Sequence, residues 1–564
     1  MVTMLSLRKL FQTNPRWLGK KQNSILSAAL VITVANILSS LSGLFRERVL
    51  IKLFFNTTAS QQAYEAYQVA FQIPDIIFQL IVLGALSAAF IPLFTDLKKK
   101  DKKQAFEFTS IAINWVLLAF IVVSALVFVF ARQITVLRTG AEFTAEQIDV
   151  AVNLTRLLLL AQLFFAVSNF LTGILQTYQR FIAPALAPLF YNLGIILGSV
   201  LLAKYLGIYA AGVGVVLGSA LHMLVQLPLV LRTGYRWQPK FNLNFPGVKK
   251  LFRMMPPRMM TVGITELQNL VMGFFATSVG NLSFVIINLA KRLMALPIRF
   301  FGVPISQASF PFLSEESADD DRVKFNRLLV QSLNQITFLA TPASVLLLIL
   351  RVPAVRLVFG TANFPWRTTV MTGKVVAVIA ISITAQAIVQ LLVRAFYALK
   401  DTKSPFFISL LSVVSYLLTA AVSIYQLDLG VYGLALAITV SAFVEMLAML
   451  YLLQKRLHCF SSEDFYWPQL KILLSGFFMA VFLYLPFKIL DELVFDTSRT
   501  VDLIALTFST GTIAILVYIY FSILFDVKEL TYFSQLLNKA SRWKTVLQDT
   551  EEVLLDSSIE DKNL

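Results

Sequence analysis

Long apolar runs recur along the whole chain and constrain its fold more than any other feature. A bilayer core about 30 Å thick requires roughly 20 mainly apolar residues per helix. We expect membrane spans at residues 25–45, 69–94, 110–130, 151–178, 183–204, 208–231, 259–279, 282–312, 329–350, 374–398, 405–426, 431–453, 470–490 and 501–525. Only 14% of the 564 residues are charged, which is too little charge to coat several soluble domains. The sequence therefore predicts an all-α polytopic membrane protein with about 14 transmembrane helices.

Residue usage excludes several other classes. Cys459 is the only cysteine, so a disulfide scaffold is ruled out, and the two histidines make a His-rich metal site unexpected. The chain has no GxxxxGK[ST] run of the kind that P-loop ATP hydrolysis requires. We expect no cofactor and no metal. The net charge of +16 fits the basic cytoplasmic loops of a membrane protein better than nucleic-acid binding.

The distribution of basic residues predicts the topology. Residues 1–24 are polar and basic and lead into the first span without the features of a signal peptide. With this segment inside, the cytoplasmic segments hold about 30 Lys and Arg and the outside loops about 11. We therefore expect both termini in the cytoplasm.

An internal repeat predicts the organisation of the spans. Leu206-Gly207-Ile208-Tyr209 recurs as Leu429-Gly430-Val431-Tyr432, and this offset contains six spans. Because six is even, both copies enter the membrane in the same orientation, which predicts two parallel-related six-helix lobes around a central cleft plus two extra C-terminal helices. The expected parts are a cytoplasmic N-terminus (1–24), an N-lobe (25–232), a cytoplasmic linker (233–258), a C-lobe (259–457), two further helices (470–525) and a cytoplasmic tail (526–564).

Charged side chains within the span at 282–312 are the main candidates for a binding site. Arg292 and Arg299 are seven residues apart and would share one helix face, with Lys291 about 100° away. Such a positive face in a water-filled cleft would attract an anion. The alternative is structural pairing, with Glu266 or Glu445 as partners.

Further charged groups leave alternatives open. Arg46 at the end of the first span could reach the cleft or the interface, and Asp75 after Pro74 could cap a broken helix or line the cleft. Glu266 and Glu445 could carry H⁺ or Na⁺ coupling, or they could form internal salt bridges.

Several segments resemble the MurJ/MviN-type lipid II flippases of the multidrug/oligosaccharidyl-lipid/polysaccharide exporter superfamily. The resemblance is scattered over about 430 residues of the first twelve spans. Its pieces are Val69-Ala70-Phe71-Gln72-Ile73-Pro74, Gly84-Ala85 through Phe90-Ile91-Pro92, Thr172-Gly173-Ile174-Leu175-Gln176-Thr177 through Ala187-Pro188, Lys291-Arg292-Leu293-Met294-Ala295-Leu296-Pro297 and Arg394-Ala395-Phe396-Tyr397-Ala398.

This resemblance implies a transporter rather than an enzyme. Such proteins move lipid II, an undecaprenyl-diphosphate-linked disaccharide-pentapeptide, from the inner to the outer leaflet of the bacterial cytoplasmic membrane for peptidoglycan synthesis. Arg46 and Arg292 match cleft arginines of the family, and Glu47 and Glu65 stand where members carry Asp. The two extra helices at 470–525 would form a groove for the lipid tail. Membrane lipid and the peptidoglycan synthesis machinery are the other partners that it implies, with Na⁺, H⁺ or the membrane potential as the energy source.

The sequence also departs from the family pattern. Ser40 and Phe78 replace arginines, Leu83 replaces a glutamate, and Lys291 replaces an acidic residue beside Arg292. We expect Lys291 and Arg299 to restore the lost positive charge in the cleft. The alternatives are a flippase for another polyprenyl-diphosphate-linked oligosaccharide, a drug/ion antiporter of the same superfamily, or a non-transporting membrane scaffold.

Overall fold

The computed structural model describes residues 25–83, 90–280, 282–318, 322–495 and 499–531. The predicted N-terminal segment 1–24 lies outside these residues, and so does the predicted tail beyond residue 531.

The described residues form helices and no β-strand. The α-helices are α1 (Ile25–Phe54), α2 (Thr58–Ala70), α3 (Gln72–Phe78), α4 (Ile91–Lys100), α5 (Lys102–Val129), α6 (Ala131–Arg138), α7 (Ala145–Thr177), α8 (Ile182–Leu206), α9 (Tyr209–Leu224), α10 (Leu227–Leu231), α11 (Val248–Val279), α12 (Ser283–Pro297), α13 (Val303–Ala318), α14 (Arg322–Ile349), α15 (Arg351–Phe359), α16 (Trp366–Ala380), α17 (Ile383–Ala398), α18 (Lys403–Ala421), α19 (Val431–Leu457), α20 (Trp467–Ile489) and α21 (Thr500–Leu524). Five short π-helical segments adjoin these helices, at Gln79–Leu83, Ile298–Gly302, Val422–Gln426, Ser462–Tyr466 and Leu490–Val494.

The lengths and hydropathy of these helices fit a protein that crosses the membrane many times. Within the described residues, nine helices are long and apolar enough to span a bilayer, or ten if the pair α16 and α17, bent by 47°, forms one span. The other four predicted spans fall on α1, on the α2–α3 region, on α11, and on α12 with α13. The predicted all-α polytopic class agrees with this structure, whereas the number of spans stays a prediction.

The chain divides into two compact units. The first unit runs to Leu293 and includes Ala354–Val375 and Ser409–Ser441. The second consists of Met294–Pro353, Val376–Ile408 and the chain from Ala442 onward. The predicted lobes follow the internal repeat rather than this packing, and their boundaries stay a prediction.

Two glycine pairs allow a close helix contact in the first unit. Gly194 and Gly198 of α8 are four residues apart, as are Gly214 and Gly218 of α9. A Cβ on Gly194 would lie 2.3 Å from the Cα of Gly218, and a Cβ on Gly198 would lie 2.4 Å from the Cα of Gly214. Paired GxxxG motifs let two helix backbones approach closely in a membrane, where the association of helices depends on such packing. The α8–α9 hairpin therefore forms a rigid support on which α1 packs.

In the second unit, α20 and α21 pack together and against α14. The Tyr518 hydroxyl of α21 donates to the Phe338 carbonyl of α14 at 2.8 Å, and Gly476 of α20 gives room for Thr341 of α14. The two C-terminal helices are thus attached to this unit through α14.

A capped loop joins α17 to α18. Asp401 Oδ1 accepts from the backbone N–H groups of Lys403 and Ser404 at 3.0 Å each, and Oδ2 accepts from Ser404 Oγ at 2.6 Å and from Arg456. Burial alone would raise the pKa of Asp401, but the hydrogen bonds from Ser404 and Arg456 lower it to about 2. The ionised Asp401 therefore fixes the start of α18.

A helix break and a π-helical segment shape the region that holds the predicted site. The α2–α3 junction lies just before Pro74, and α12 ends at Pro297, where the π-helical segment Ile298–Gly302 begins. Proline has no N–H to continue the helical ladder, so neighbouring groups must satisfy the freed carbonyls. The chain from Ser283 to Ala318 is helical throughout, and its hydrogen-bonding pattern changes after Pro297.

Candidate functional site

Three helices of the first unit bring charged side chains from distant parts of the sequence together. α1 contributes Arg46 and Glu47, α2 contributes Tyr64 and Gln68, and α12 contributes Arg292. Tyr64 and Gln68 are four residues apart, so they lie on the same face of α2. We call these five residues the arginine–glutamate cluster.

The Glu47 carboxylate lies at the centre of this cluster. Its side chain is only 2% exposed. Oε1 accepts hydrogen bonds from the Tyr64 hydroxyl and, at 3.1 Å, from Gln68 Nε2. Oε2 lies 3.4 Å from an Arg46 nitrogen and 3.3 Å from an Arg292 nitrogen. A buried carboxylate with this many donors is held in the ionised form, since charge-assisted hydrogen bonds stabilise the anion.

The two arginines are less completely satisfied than the carboxylate. Arg46 donates to Asn192 Oδ1 of α8 at 3.0 Å, but its Nε is buried without a hydrogen-bond partner. The Arg46 side chain is 13% exposed and the Arg292 side chain 37%. With two guanidinium groups and one carboxylate, the cluster carries one excess positive charge, and it keeps donors for a further anion.

The structure places Glu65 apart from this cluster. Glu65 is buried, and its two oxygens accept from Gln147 Nε2 at 3.1 Å and from the Phe284 backbone N–H at 3.2 Å. The carboxylate thus joins α2 to α7 and to the start of α12. Both oxygens are already in use within the helix bundle.

Lys291 and Arg292 point to different neighbours although they are adjacent in the sequence. Lys291 Nζ donates to Asn269 Oδ1 of α11 at 3.1 Å and lies 3.6 Å from Met272 Sδ. Glu266, also on α11, is 6% exposed and lies within electrostatic reach of Lys291. Arg292 therefore pairs with Glu47, whereas the alternative of structural pairing had named Glu266 or Glu445. The turn of about 100° per helical residue explains the separation of Lys291 from Arg292.

The remaining predicted residues belong to the second unit. Arg299 is exposed in the π-helical segment that follows α12. Glu445 is half-buried in α19 and makes an electrostatic or hydrogen-bonding interaction. The expected shared face of Arg292 and Arg299 stays a prediction.

Sequence reasoning missed several polar residues that matter here. Tyr64, Gln68 and Asn192 carry no charge, and only their position beside or within apolar helices could have drawn attention to them. Arg138, at the end of α6, was also missed. It donates to Gln72 Oε1 at 2.6 Å and to the Val69 carbonyl at 2.9 Å.

Burial lowers the pKa of Arg138 to about 10, so this side chain stays charged near neutral pH. It binds the C-terminal end of α2, where a cation interacts favourably with the helix dipole. Arg138 therefore holds the α2–α3 break in place.

Metal binding has no support among the residues that the structure describes, where no three His, Cys, Asp or Glu side chains are grouped to hold an ion. The fold and the positively charged cluster among its helices define a polytopic helical membrane protein of the transporter type.

Comparison with known proteins specifies the family. The family model described as "Lipid II flippase MurJ" matches residues 51–525. A lipid II flippase MurJ of Burkholderia cenocepacia is 28% identical over 443 residues, covering 77% of this chain and 84% of that protein. A probable lipid II flippase MurJ of Bdellovibrio bacteriovorus is 26% identical over 509 residues, covering 89% and 95%. The chain belongs to the lipid II flippase MurJ family, which confirms the resemblance noted in the sequence.

Solved structures confirm the fold. A lipid II flippase MurJ in an inward closed conformation matches with a TM-score of 0.72 at 24% identity, covering 88% of this chain and 98% of the other. An inward-facing multidrug resistance MATE family transporter of the MOP superfamily matches with a TM-score of 0.61 at 12% identity, covering 74% and 94%. This chain therefore shares its all-α multi-pass membrane fold with both solved structures.

Proposed function

We propose that this protein moves lipid II from the inner to the outer leaflet of the bacterial cytoplasmic membrane, as a transporter in cell-wall synthesis. Membership of the MurJ family supports the substrate. The observation that carries the proposal is the convergence of Arg46 and Arg292 on one buried carboxylate, which leaves excess positive charge inside a bundle of membrane helices. A diphosphate needs such cationic partners once it leaves bulk water.

The distances in the cluster support an exchange of anions. A strong N⁺–H···O⁻ hydrogen bond is about 2.7–2.9 Å long, whereas the two arginines lie 3.4 and 3.3 Å from Glu47. Tyr64 and Gln68 hold the other carboxylate oxygen on the opposite side. A diphosphate could therefore take over Arg292, the more exposed arginine, while Glu47 remains anchored to α2. Arginine suits this role because its forked donors match phosphate oxygens.

The other predicted residues receive different roles in this proposal. Glu65 positions α2, α7 and α12, and Arg299 adds positive charge further along the same chain segment. The lobes at 25–232 and 259–457, the cleft expected between them and the lipid-tail helices at 470–525 belong to the proposal as inferences from the sequence repeat and the family. The proposal also couples the transport of lipid II to H⁺ or Na⁺, with Glu266 and Glu445 as the candidate carboxylates.

One observation favours a second candidate cargo, another polyprenyl-diphosphate-linked oligosaccharide. The Ser40 hydroxyl donates to the carbonyl of its own helix at Asn36, 2.8 Å away, and Phe78 packs against Phe165 with ring centroids 6.0 Å apart. Ser40 and Phe78 thus bring no charge to two positions where the family pattern has arginine. Competition between lipid II and a lipid-linked oligosaccharide without the pentapeptide would separate the two cargoes.

The central test compares Arg292→Ala with Arg48→Ala. Arg48 lies two residues beyond Arg46 on α1 and donates to the Leu357 carbonyl at 2.8 Å, so it is a matched arginine outside the cluster. Loss of one charge-assisted contact to phosphate costs about 1.5–3 kcal/mol, which is roughly a 10- to 150-fold loss of affinity. We expect Arg292→Ala to abolish growth of a cell depleted of its own flippase and Arg48→Ala to support it.

The same assay tests whether Arg299 substitutes for the missing family arginines. We expect Arg299→Gln to reduce growth and the exposure of lipid II at the outer leaflet. Membrane expression of every variant is matched by immunoblot. Equal effects of Arg292→Ala and Arg48→Ala would contradict a phosphate site at the cluster.

The orientation of the chain is part of the proposal, with both termini in the cytoplasm. Cys459 lies in a predicted inside loop, but it is buried, and burial raises the pKa of its thiol to about 11. Such a thiol reacts poorly from either side. Glu463→Cys in a Cys459→Ala background places the thiol at an exposed position of the same region. We expect an impermeant thiol reagent to label this cysteine only after the cells are permeabilised. The same reagent should label Glu142→Cys in intact cells. The reverse pattern would refute this topology.

A further inference from the structure

A loop between α10 and α11 runs through the first unit without helical structure. It spans residues 235–245, inside the predicted cytoplasmic linker, and we call it the strap. Three of its large apolar side chains are exposed, Trp237 by 59%, Phe241 by 53% and Leu243 by 47%. Exposed apolar side chains that cluster on one segment mark a surface that contacts a partner or a lipid phase. The contacts of the strap decide between the two.

Hydrogen bonds fix the strap to helix α5 of the same unit. The Tyr235 hydroxyl lies 3.2 Å from Ser110 Oγ, and the Gln238 backbone N–H donates to the same oxygen at 3.3 Å. One turn further along α5, Asn114 Nδ2 donates to the backbone carbonyl of Gln238 at 2.8 Å and to that of Lys240 at 2.9 Å. The strap therefore follows the surface of α5, and the side chains of α5 satisfy its backbone groups.

The position of these contacts along α5 places the strap at membrane depth. Helix α5 is one of the helices that are long and apolar enough to cross a bilayer. The predicted span begins at residue 110, so Asn114 and Trp115 lie about 6–8 Å inside its edge. The ring of Phe241 packs on that of Trp115, with centroids 5.6 Å apart. Irregular backbone is tolerated at such depth only where its polar groups are satisfied, and Asn114 meets this condition.

The orientation of Trp237 favours an apolar environment over water. Its indole N–H donates to Asn114 Oδ1 at 2.7 Å, although most of the side chain is exposed. The N–H group is the only hydrogen-bond donor of the indole, and the protein already satisfies it. The exposed edge of the ring therefore has no polar group to offer to water. Such an edge suits the acyl chains of a lipid leaflet, where tryptophan is enriched near the polar boundary.

The charged side chains of the strap point toward the polar boundary. The backbone carbonyl of Lys240 lies beside Asn114, but its ammonium group donates to Glu107 Oε1 at 2.7 Å. Glu107 precedes Asn114 by seven residues, which places it about 10 Å nearer the start of α5. A lysine at a membrane surface extends its stem along apolar surface in this way and keeps its charge near water. Arg236 in the strap and Lys249 just beyond it are exposed, and they add positive charge that attracts anionic headgroups.

We propose that the strap is a lipid-docking surface, which inserts Trp237, Phe241 and Leu243 into the acyl-chain boundary of the leaflet at the start of α5. In the predicted topology this is the cytoplasmic leaflet. The strap ends at Gly247, which has a positive φ of 89° and whose Cβ would lie 3.3 Å from the Phe108 ring of α5. Because α11 begins at the next residue, docking to lipid also fixes the start of that helix. This inference does not depend on the proposed transport function.

The test measures the surroundings of Trp237 in the full-length protein reconstituted into liposomes. The difference in emission between the wild type and Trp237→Phe reports this side chain. The quenchers are phospholipids brominated near the headgroup, phospholipids brominated near the chain end, and iodide on both sides of the membrane. We expect the first lipid to quench the Trp237 emission more strongly than the second, and iodide to leave it unchanged.

A variant of the Asn114 contact tests what holds the strap in place. We expect Asn114→Ala, compared with and without Trp237→Phe, to lose quenching by lipid and gain quenching by iodide, because the strap is released from α5. Asn153→Ala is the matched control, since the Asn153 amide donates to the Tyr209 hydroxyl at 3.4 Å on an exposed surface. This control should keep the wild-type pattern.

The wild-type result alone decides whether the strap docks to lipid, so a variant that fails to fold does not protect the proposal. Quenching of Trp237 by iodide and not by brominated lipid would place the strap in water and overturn the proposal. Absence of quenching by all three reagents would show that protein covers the strap, such as a second copy of this chain, and would overturn it as well. Lipid quenching that persists in Asn114→Ala would overturn the role of Asn114. A protein that docks in this way but moves no lipid II would overturn only the proposed function.

Discussion

Glu47→Gln is the change that tests the arginine–glutamate cluster most directly. The substitution keeps the size and shape of the side chain but removes its charge. Arg46, which is 13% exposed, and Arg292, which is 37% exposed, then lose the carboxylate that they share. The amide can also present N–H groups to guanidinium groups that are themselves donors only.

The expected loss of stability follows from the burial of these groups. Removing one partner of a fully buried ion pair costs about 3–5 kcal/mol. Arg292 is partly exposed, so solvent screens its share and the lower end of this range applies. We therefore expect Glu47→Gln to lower the free energy of unfolding by about 3 kcal/mol, with a matching fall in the apparent Tm of the purified protein in detergent.

The control is Glu47→Asp, which retains the charge and shortens the side chain by one methylene. We expect a smaller loss of unfolding free energy, about 1 kcal/mol, because the arginines keep a counter-ion and the shorter side chain weakens one hydrogen bond. Thermal denaturation of both variants, measured beside the wild type at the same detergent concentration, provides the comparison. If Glu47→Gln matched the wild type while Glu47→Asp were strongly destabilised, shape rather than charge would hold the cluster together and our reasoning would fail.

Two further predictions concern packing and pH. Gly194→Ala should lower the free energy of unfolding by about 1–3 kcal/mol, because its Cβ would lie 2.3 Å from the Gly218 Cα; Gly511→Ala, where nothing lies within 4 Å, should be neutral or slightly stabilising in the same thermal assay. Asp401 has a pKa of about 2, below its ordinary value of 3.8. Its ionised form therefore contributes about 1 kcal/mol to the free energy of unfolding, a value reduced by solvent screening at this partly exposed pair. This contribution is complete above about pH 4 and disappears as the pH falls toward 2. Stability curves for the wild type and Asp401→Asn should therefore differ at neutral pH and converge in acid, and a constant difference at all pH values would contradict this assignment.

Helix positions and family were within reach of the sequence because both depend on local pattern. The apolar runs predict where helices form, since backbone groups in a bilayer must be satisfied within each helix. The segment from Lys291 to Pro297 also indicated the family and drew attention to Arg292.

The partners of these charges were decided by tertiary structure. Arg46 and Asn192 are 146 residues apart, and no local pattern predicts which faces of α1 and α8 meet. The same is true of Arg292, which pairs with Glu47, whereas the sequence offered Glu266 or Glu445 as its alternative partners. Apolar periodicity specifies that a helix has a buried face, but in a membrane almost any apolar face can be buried against lipid or protein. Close-packed glycines and polar contacts across helices select one arrangement, so the sequence by itself determined the helices and the family, and only the packing determined which charge meets which.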